Sequence, residues 1–180
     1  MVGMNEYGRL FARLNGHLRG RFAAFHFLAG MGFGEPEKWW SGNGKRPRPH
    51  EGVDIRFYRD HQKRLHCFGE KTKVPFFRAG KVVAITKDFL ADSVFVREKT
   101  DAVDQFITVY SHILPAVQCG ADVKKGDVVG MIAAVSGAVP AHLHVSVLRL
   151  QRDIAPENLH WDFLSRCDSA IFANPFSEKS

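Results

Sequence analysis

Two histidines separated by one residue, His142-Leu143-His144, stand in a stretch without Gly or Pro that runs on as Val145-Ser146-Val147. That composition reads as a β-strand. Successive strand side chains point to opposite faces, so His142 and His144 share one face while Leu143, Val145 and Val147 can be buried on the other. Two imidazoles held side by side make half of a zinc site, because zinc takes three or four ligands. Taken alone, they read sooner as a pair of histidines on a half-exposed strand than as a metal site. A second group, His50-Glu51-Gly52-Val53-Asp54, offers an imidazole and a carboxylate, both ordinary zinc donors, around a glycine that lets the chain turn. By itself it also fits a turn whose Asp accepts backbone hydrogen bonds. A third, Thr108-Val109-Tyr110-Ser111-His112-Ile113, has strand alternation that predicts Thr108, Tyr110 and His112 on one face and Val109 and Ile113 on the other.

These groups need a scaffold. Leu10, Leu14, Leu18, Phe22 and Phe25 recur at helical spacing, which predicts an N-terminal helix over about residues 7–28, weakened by Gly16 and Gly20. Residues 30–49 are rich in Gly, Pro and Trp and read as a loop whose Trp39-Trp40 pair is a lid or a groove wall. Short strand signals follow at 53–58, 64–68, 73–77, 81–86, 93–98, 105–113, 128–133 and 142–149. The polar stretch 59–73 reads as a hairpin excursion. Pro156, Glu157 and Arg166 are placed as in the first and last turns of a C-terminal helix. The expected fold is mainly β: an antiparallel sandwich or partly open barrel with peripheral N- and C-terminal helices. Residues 1–45 would pack on a core of residues 46–150, and 151–180 would form a C-terminal helical extension.

A formal net charge of +6 and a pI near 9.4 favour acidic surroundings. The charge is scattered, with no basic patch interleaved with aromatics, so nucleic acid is not an expected partner. Cys67, Cys119 and Cys167 form no CxxC pair and read as three isolated buried thiols, leaning to a reducing compartment. No run reaches the roughly 20 apolar residues of a membrane span. The apolar stretch 22–34 follows several arginines, as in a secretory signal, but His26 interrupts it and no clear small-x-small cleavage site follows. Compartment and oligomeric state stay open.

Taken in order, the HxGxD group, the Tyr-x-His strand, the Val123–Ile132 turn-and-strand and the HxH group resemble the M23 family of zinc metallopeptidases, the lysostaphin and LytM-like cell-wall endopeptidases. The resemblance spans about Arg46 to Ser146. It implies a LytM-like domain in which His50, Asp54 and His144 bind Zn2+ while His142 and His112 flank a metal-activated water. It further implies hydrolysis of peptide bonds, with peptidoglycan stem or cross-link peptides as substrate and the cell envelope or exterior as the place of action. A domain of the same fold that binds a wall peptide or a protein partner without cleaving it is the alternative. Val145 and Ser146 stand where the family commonly has an aromatic residue and a glutamate. The turn around Lys124-Lys125-Gly126-Asp127 also resembles biotinyl and lipoyl carrier domains, but no Met-Lys-Met flanks it and the histidines would go unexplained.

Overall fold

The computed structural model describes residues 4–42, 44–100 and 105–177. The chain opens with α1 (Met4–Leu14), followed by strand β1 (Phe22–His26). After a long loop come β2 (Val53–Ile55), β3 (Phe57–Asp60), β4 (Leu65–Cys67) and β5 (Lys73–Pro75). Two long strands, β6 (Gly80–Lys87) and β7 (Asp92–Glu98), lead into β8 (Gln105–Pro115). The remainder is β9 (Asp122–Val123), β10 (Val128–Ile132), β11 (Leu143–Leu150), the short helix α2 (Trp161–Leu164) and β12 (Ala170–Ala173). The fold is mainly antiparallel β, with an open sheet and two helices. The large sheet runs in the order β12-β11-β8-β7-β6-β9, with β2 also on β11 and with β10 bridging β5 and β8. The order β1-β3-β4 makes a separate three-stranded sheet, and its β3–β4 hairpin is the excursion expected after the HxGxD strand.

The N-terminal helix is half as long as its periodicity predicts. It stops at Leu14, a single 3-10 turn follows, and Gly20 adopts φ +71, a left-handed conformation that breaks helical continuity. The apolar residues beyond it form β1 and pair with β3. Asn15 anchors the helix end: its side-chain amide donates to the carbonyls of Phe11 and Lys73, each at 2.9 Å, and its Oδ1 accepts from Lys73 N at 2.9 Å. The C-terminal segment also departs from a continuous helix. A 3-10 turn at Pro156–Asn158 gives way to His160, which is extended and accepts from Phe163 N as the cap of α2. Residues 170–173 then join the large sheet as β12. The cysteines are not buried thiols either, since Cys67 and Cys119 are exposed and Cys167 is half-buried.

Two apolar clusters cover the large sheet. Tyr7 and Phe11 of α1 and Phe25 of β1 cluster with Val145 and Tyr110 in one. Ile154, Leu159 and Leu164 of the C-terminal segment cluster with Val109, Leu148 and Leu150 in the other. Side-chain parity puts His142 and His144 on the face that Leu148 and Leu150 bury further along β11. The C-terminal segment therefore closes one end of the face on which the histidines stand. No helix among the described residues is long and apolar enough to cross a membrane.

Candidate metal centre

Strand register brings the HxGxD and HxH groups together. On paired antiparallel strands Asp54 of β2 lies directly opposite His144 of β11, so both side chains leave the sheet on the same side. Gly52 makes that approach possible. A Cβ there would lie 2.3 Å from the Val145 carbonyl oxygen and 2.8 Å from His144 Nε2. One ligand atom each from His50, Asp54 and His144 falls within 4.8 Å of the others, in a group that could hold a metal ion. His50 Nε2 is 3.1 Å from His144 Nδ1, and Asp54 Oδ1 lies 2.8 Å from His144 Nδ1 and 3.2 Å from His50 Nε2. A tetrahedral zinc with bonds of about 2.0–2.2 Å wants donors about 3.3–3.5 Å apart, so the triangle needs to open by only a few tenths of an ångström. Two imidazoles and a carboxylate suit zinc in chemistry as well as in spacing.

The outward atoms of these side chains are held by fixed partners. His50 donates from Nδ1 to the Gly32 carbonyl at 2.9 Å, and His144 Nε2 is 2.7 Å from Ser146 Oγ. Asp54 Oδ2 accepts from Trp39 Nε1 at 2.7 Å and from Arg46 Nη2 at 3.1 Å. Such contacts orient ligands and tune metal affinity. Burial opposes ionisation of Asp54, yet the surrounding imidazoles of His142, His144 and His50 outweigh it and hold the carboxyl well below its usual range. Burial pushes His144 down to about 4, against the opposing pull of Asp54. The ring is thus neutral at pH 7, as a metal ligand must be.

The other two predicted histidines are beside this triangle. His142 Nε2 is 3.5 Å from Asp54 Oδ1, and the His142 and His112 rings are 4.8 Å apart. His142 donates from Nδ1 to the Pro140 carbonyl at 2.8 Å. His112 arrives by a route that alternation does not foresee. Ser111, not His112, is opposite His144. Strict alternation would send His112 into the core with Tyr110. Instead His112 has φ +65, at an irregularity in the β7–β8 pairing, and this left-handed residue turns the ring back to the histidine face. Tyr110 consequently does not share the face of His112. It is fully buried, and its hydroxyl accepts from Phe77 N at 2.6 Å.

Several residues at the site carry no sequence signal that tied them to it. Asp88, in the β6–β7 turn, takes His112 Nδ1 at 2.9 Å on Oδ1 and His112 N at 3.0 Å on Oδ2. It also accepts from Leu90 N and Ala91 N, each at 2.8 Å, and lies 2.9 Å from Ser93 Oγ. Burial resists the Asp88 charge, but the His112 hydrogen bond and charge overcome it and set the carboxyl far below its usual range. Burial lowers the pKa of His112 itself, with Asp88 pulling the other way. Trp161 of α2 donates to Ser93 Oγ at 2.9 Å and stands edge-on to His144 at 5.7 Å. Together with Trp40 and the exposed Phe89, Trp161 lines a pocket of about 220 Å³ over the histidines. The Trp39-Trp40 pair is thus part of the site: Trp39 orients Asp54 and Trp40 forms wall.

The chain matches no family model and no curated protein. Solved structures to which it is similar are M23 peptidases. The catalytic domain of lysostaphin from Staphylococcus simulans is 19% identical over 71% of this chain and 83% of its own, with a TM-score of 0.49. The catalytic domain of the prophage-encoded M23 protein EnpA from Enterococcus faecalis is 18% identical over 77% of this chain and 98% of its own, with a TM-score of 0.45. A zinc-containing peptidase from Vibrio cholerae is 20% identical over 77% of this chain and 41% of its own, with a TM-score of 0.49.

Proposed function

We propose that the chain is a zinc-dependent endopeptidase of the M23 type, acting on the stem or cross-link peptides of peptidoglycan. The observation that carries this reading is the buried His50–Asp54–His144 triangle with two further imidazoles, His142 and His112, beside it. Three protein donors leave a fourth position open, the arrangement of catalytic rather than structural zinc sites. Bound there, zinc would supply Lewis acidity, bringing the pKa of a coordinated water towards about 7 and polarising the scissile carbonyl.

The chain's own groups would handle the protons. His142 carries its proton on Nδ1, fixed by the Pro140 carbonyl, so the neutral ring presents the lone pair of Nε2 to the site. It accepts a proton at Nε2 and returns it to the leaving amine. His112 also keeps a proton on Nδ1, against Asp88. When protonated, it donates from Nε2 to the negative charge growing on the substrate oxygen, with Asp88 compensating the imidazolium charge. Trp40, Phe89 and Trp161 exclude water from around these groups. The net charge of +6 suits an acidic wall polymer.

Elemental analysis and incubation of the zinc-loaded protein with defined cross-linked muropeptides test the proposal. His144→Ala and Asp54→Ala should lose zinc and cleavage together, whereas His142→Ala should keep zinc and lose most turnover. Zinc retained by His144→Ala but lost by His142→Ala would reverse the ligand assignment. A zinc-loaded protein that binds muropeptides and leaves them intact would be a binding module of the same fold.

A further inference from the structure

Beside the pocket over the histidines lies a second, larger groove of about 780 Å³. Two walls join them. His50 and Glu51 line both cavities on one side. On the other, Phe172 of β12 lines the larger groove and stacks on Trp161, with centroids 6.1 Å apart and planes 6° apart, and Trp161 lines the smaller pocket. The larger groove thus lies between β12 and the loop segments that carry Phe33 and His50.

Strand β12 is paired with β11 from Val147↔Ala173 to Leu150↔Ala170, and among the described residues with nothing else. A strand paired on one side directs alternate N–H and C=O groups away from its partner, where another extended chain can pair with them. In β12 the outward Ala170 N–H already donates to the Cys167 carbonyl at 3.1 Å, which leaves the Phe172 N–H for such pairing. Ile171, which is 37% exposed, and Phe33 give this groove apolar side-chain contacts. Its charged lining residues are Arg48 and Arg166 against Glu51 and Asp168, two of each sign, so it does not select for a net charge.

We propose that this groove holds one arm of the peptide substrate as an added strand on the free edge of β12, with apolar side chains against Phe33 and Ile171. The proposal rests on the peptidase reading for the identity of the occupant. It gives the C-terminal segment a function, as a substrate-binding element that continues the metal pocket. A four-residue strand is about 13 Å long, so the arm is about four residues on one side of the cleaved bond. Backbone pairing supplies the affinity and the pockets for alternate side chains supply the selectivity.

Hydrogen exchange of the zinc-free protein tests the groove without any need for cleavage. The probe is a blocked octapeptide of alternating valine and threonine, compared with the same peptide N-methylated at every amide. The unmodified peptide should slow exchange of the outward Phe172 amide at least tenfold, the methylated one should not, and Ile171→Asp should abolish the effect. In the zinc-loaded protein, extending a cleaved peptide by four residues on that side should lower KM about tenfold, and Ile171→Asp should cancel that gain while leaving its zinc content intact. Unchanged exchange at the Phe172 amide, or equal protection by the methylated peptide, overturns the groove proposal. Cleavage without that protection leaves the peptidase reading standing alone. Protection without cleavage of any peptide leaves a peptide-binding groove and removes the peptidase reading.

Discussion

Asp88→Asn probes how His112 is set. The carboxylate accepts from both the main-chain N–H and the ring Nδ1 of His112, and from the amides of Leu90 and Ala91. An asparagine that keeps its oxygen towards Leu90, Ala91 and the ring places its NH2 where Oδ2 was, facing the His112 N–H. Donor then meets donor. Hydrogen bonds to a charged group are worth about 1.5–3 kcal/mol, and an unsatisfied buried N–H costs about 1–3 kcal/mol. His112 also sits at φ +65, a conformation costing about 1–2 kcal/mol that the Asp88 contacts help to hold. The combined loss of stability should be about 3 kcal/mol, read as a fall in the urea midpoint of the zinc-free protein at constant m-value. Asp88 makes no contact with His50, Asp54 or His144 among its hydrogen bonds, so zinc affinity should change less than about threefold. Turnover should fall by about 10²–10⁴, the range in which loss of an acid–base group or its orienting carboxylate acts. A variant with wild-type stability and turnover would refute the claim that Asp88 fixes His112. A variant that loses zinc in proportion to activity would show that His112 is tied to the metal itself.

Three further outcomes follow from the same geometry. Trp39→Phe removes the N–H that binds Asp54 Oδ2 but keeps an aromatic ring, and should weaken zinc binding by about 10–100-fold in a chelator competition, with little change in fold by circular dichroism. Gly52→Ala drives a methyl group into the Val145 carbonyl and His144, so it should destabilise the zinc-free protein by about 2 kcal/mol or more and weaken zinc binding too; an unaltered melting curve would count against the strand register described. Acid should loosen the zinc-free protein well above the usual carboxylate range. Burial lowers the proton affinity of His144, to about 4, and of His112, so the unfolded chain binds more protons than the folded one. Stability is therefore undiminished by these groups above about pH 6.5 and falls as pH drops towards 4, by about 3 kcal/mol for His144 alone. Urea titrations in chelator at a series of pH values check this, and a flat profile from pH 7 to 5 would sink it.

The metal triangle was legible because its logic is short-range. Gly52, two residues before Asp54, and the two-residue spacing of His142 and His144 both suit strand periodicity; β2 and β11 set Asp54 opposite His144, while Gly52 and His142 stand just before those strands. The mainly β fold was legible from the same alternation. Helix length was not. The stripe from Leu10 to Phe25 fits a helical period, but the helix ends at Leu14 and the chain turns at Gly20, so Leu10 and Leu18 bury before that turn and Phe25 buries from the strand after it. Alternation also misplaced His112 relative to Tyr110, because the positive φ at His112 breaks the alternation that holds as far as Ser111. Asp88 and Trp161 reach the site through tertiary contacts to His112 and Ser93, and nothing local in their sequence surroundings marks them.

Asp54 and His144 lie across one pair of hydrogen-bonded strands, and this pairing bears on how the protein is proofread as it folds. A slip of β2 by a single position would turn Asp54 to the opposite face and leave its place to an apolar neighbour, Val53 or Ile55. Such a misfolded chain would keep most of its buried surface, but it would lack one zinc donor. Zinc present during refolding should therefore deplete off-register species by binding only the correctly aligned pair, acting as an audit of alignment before it takes part in any reaction.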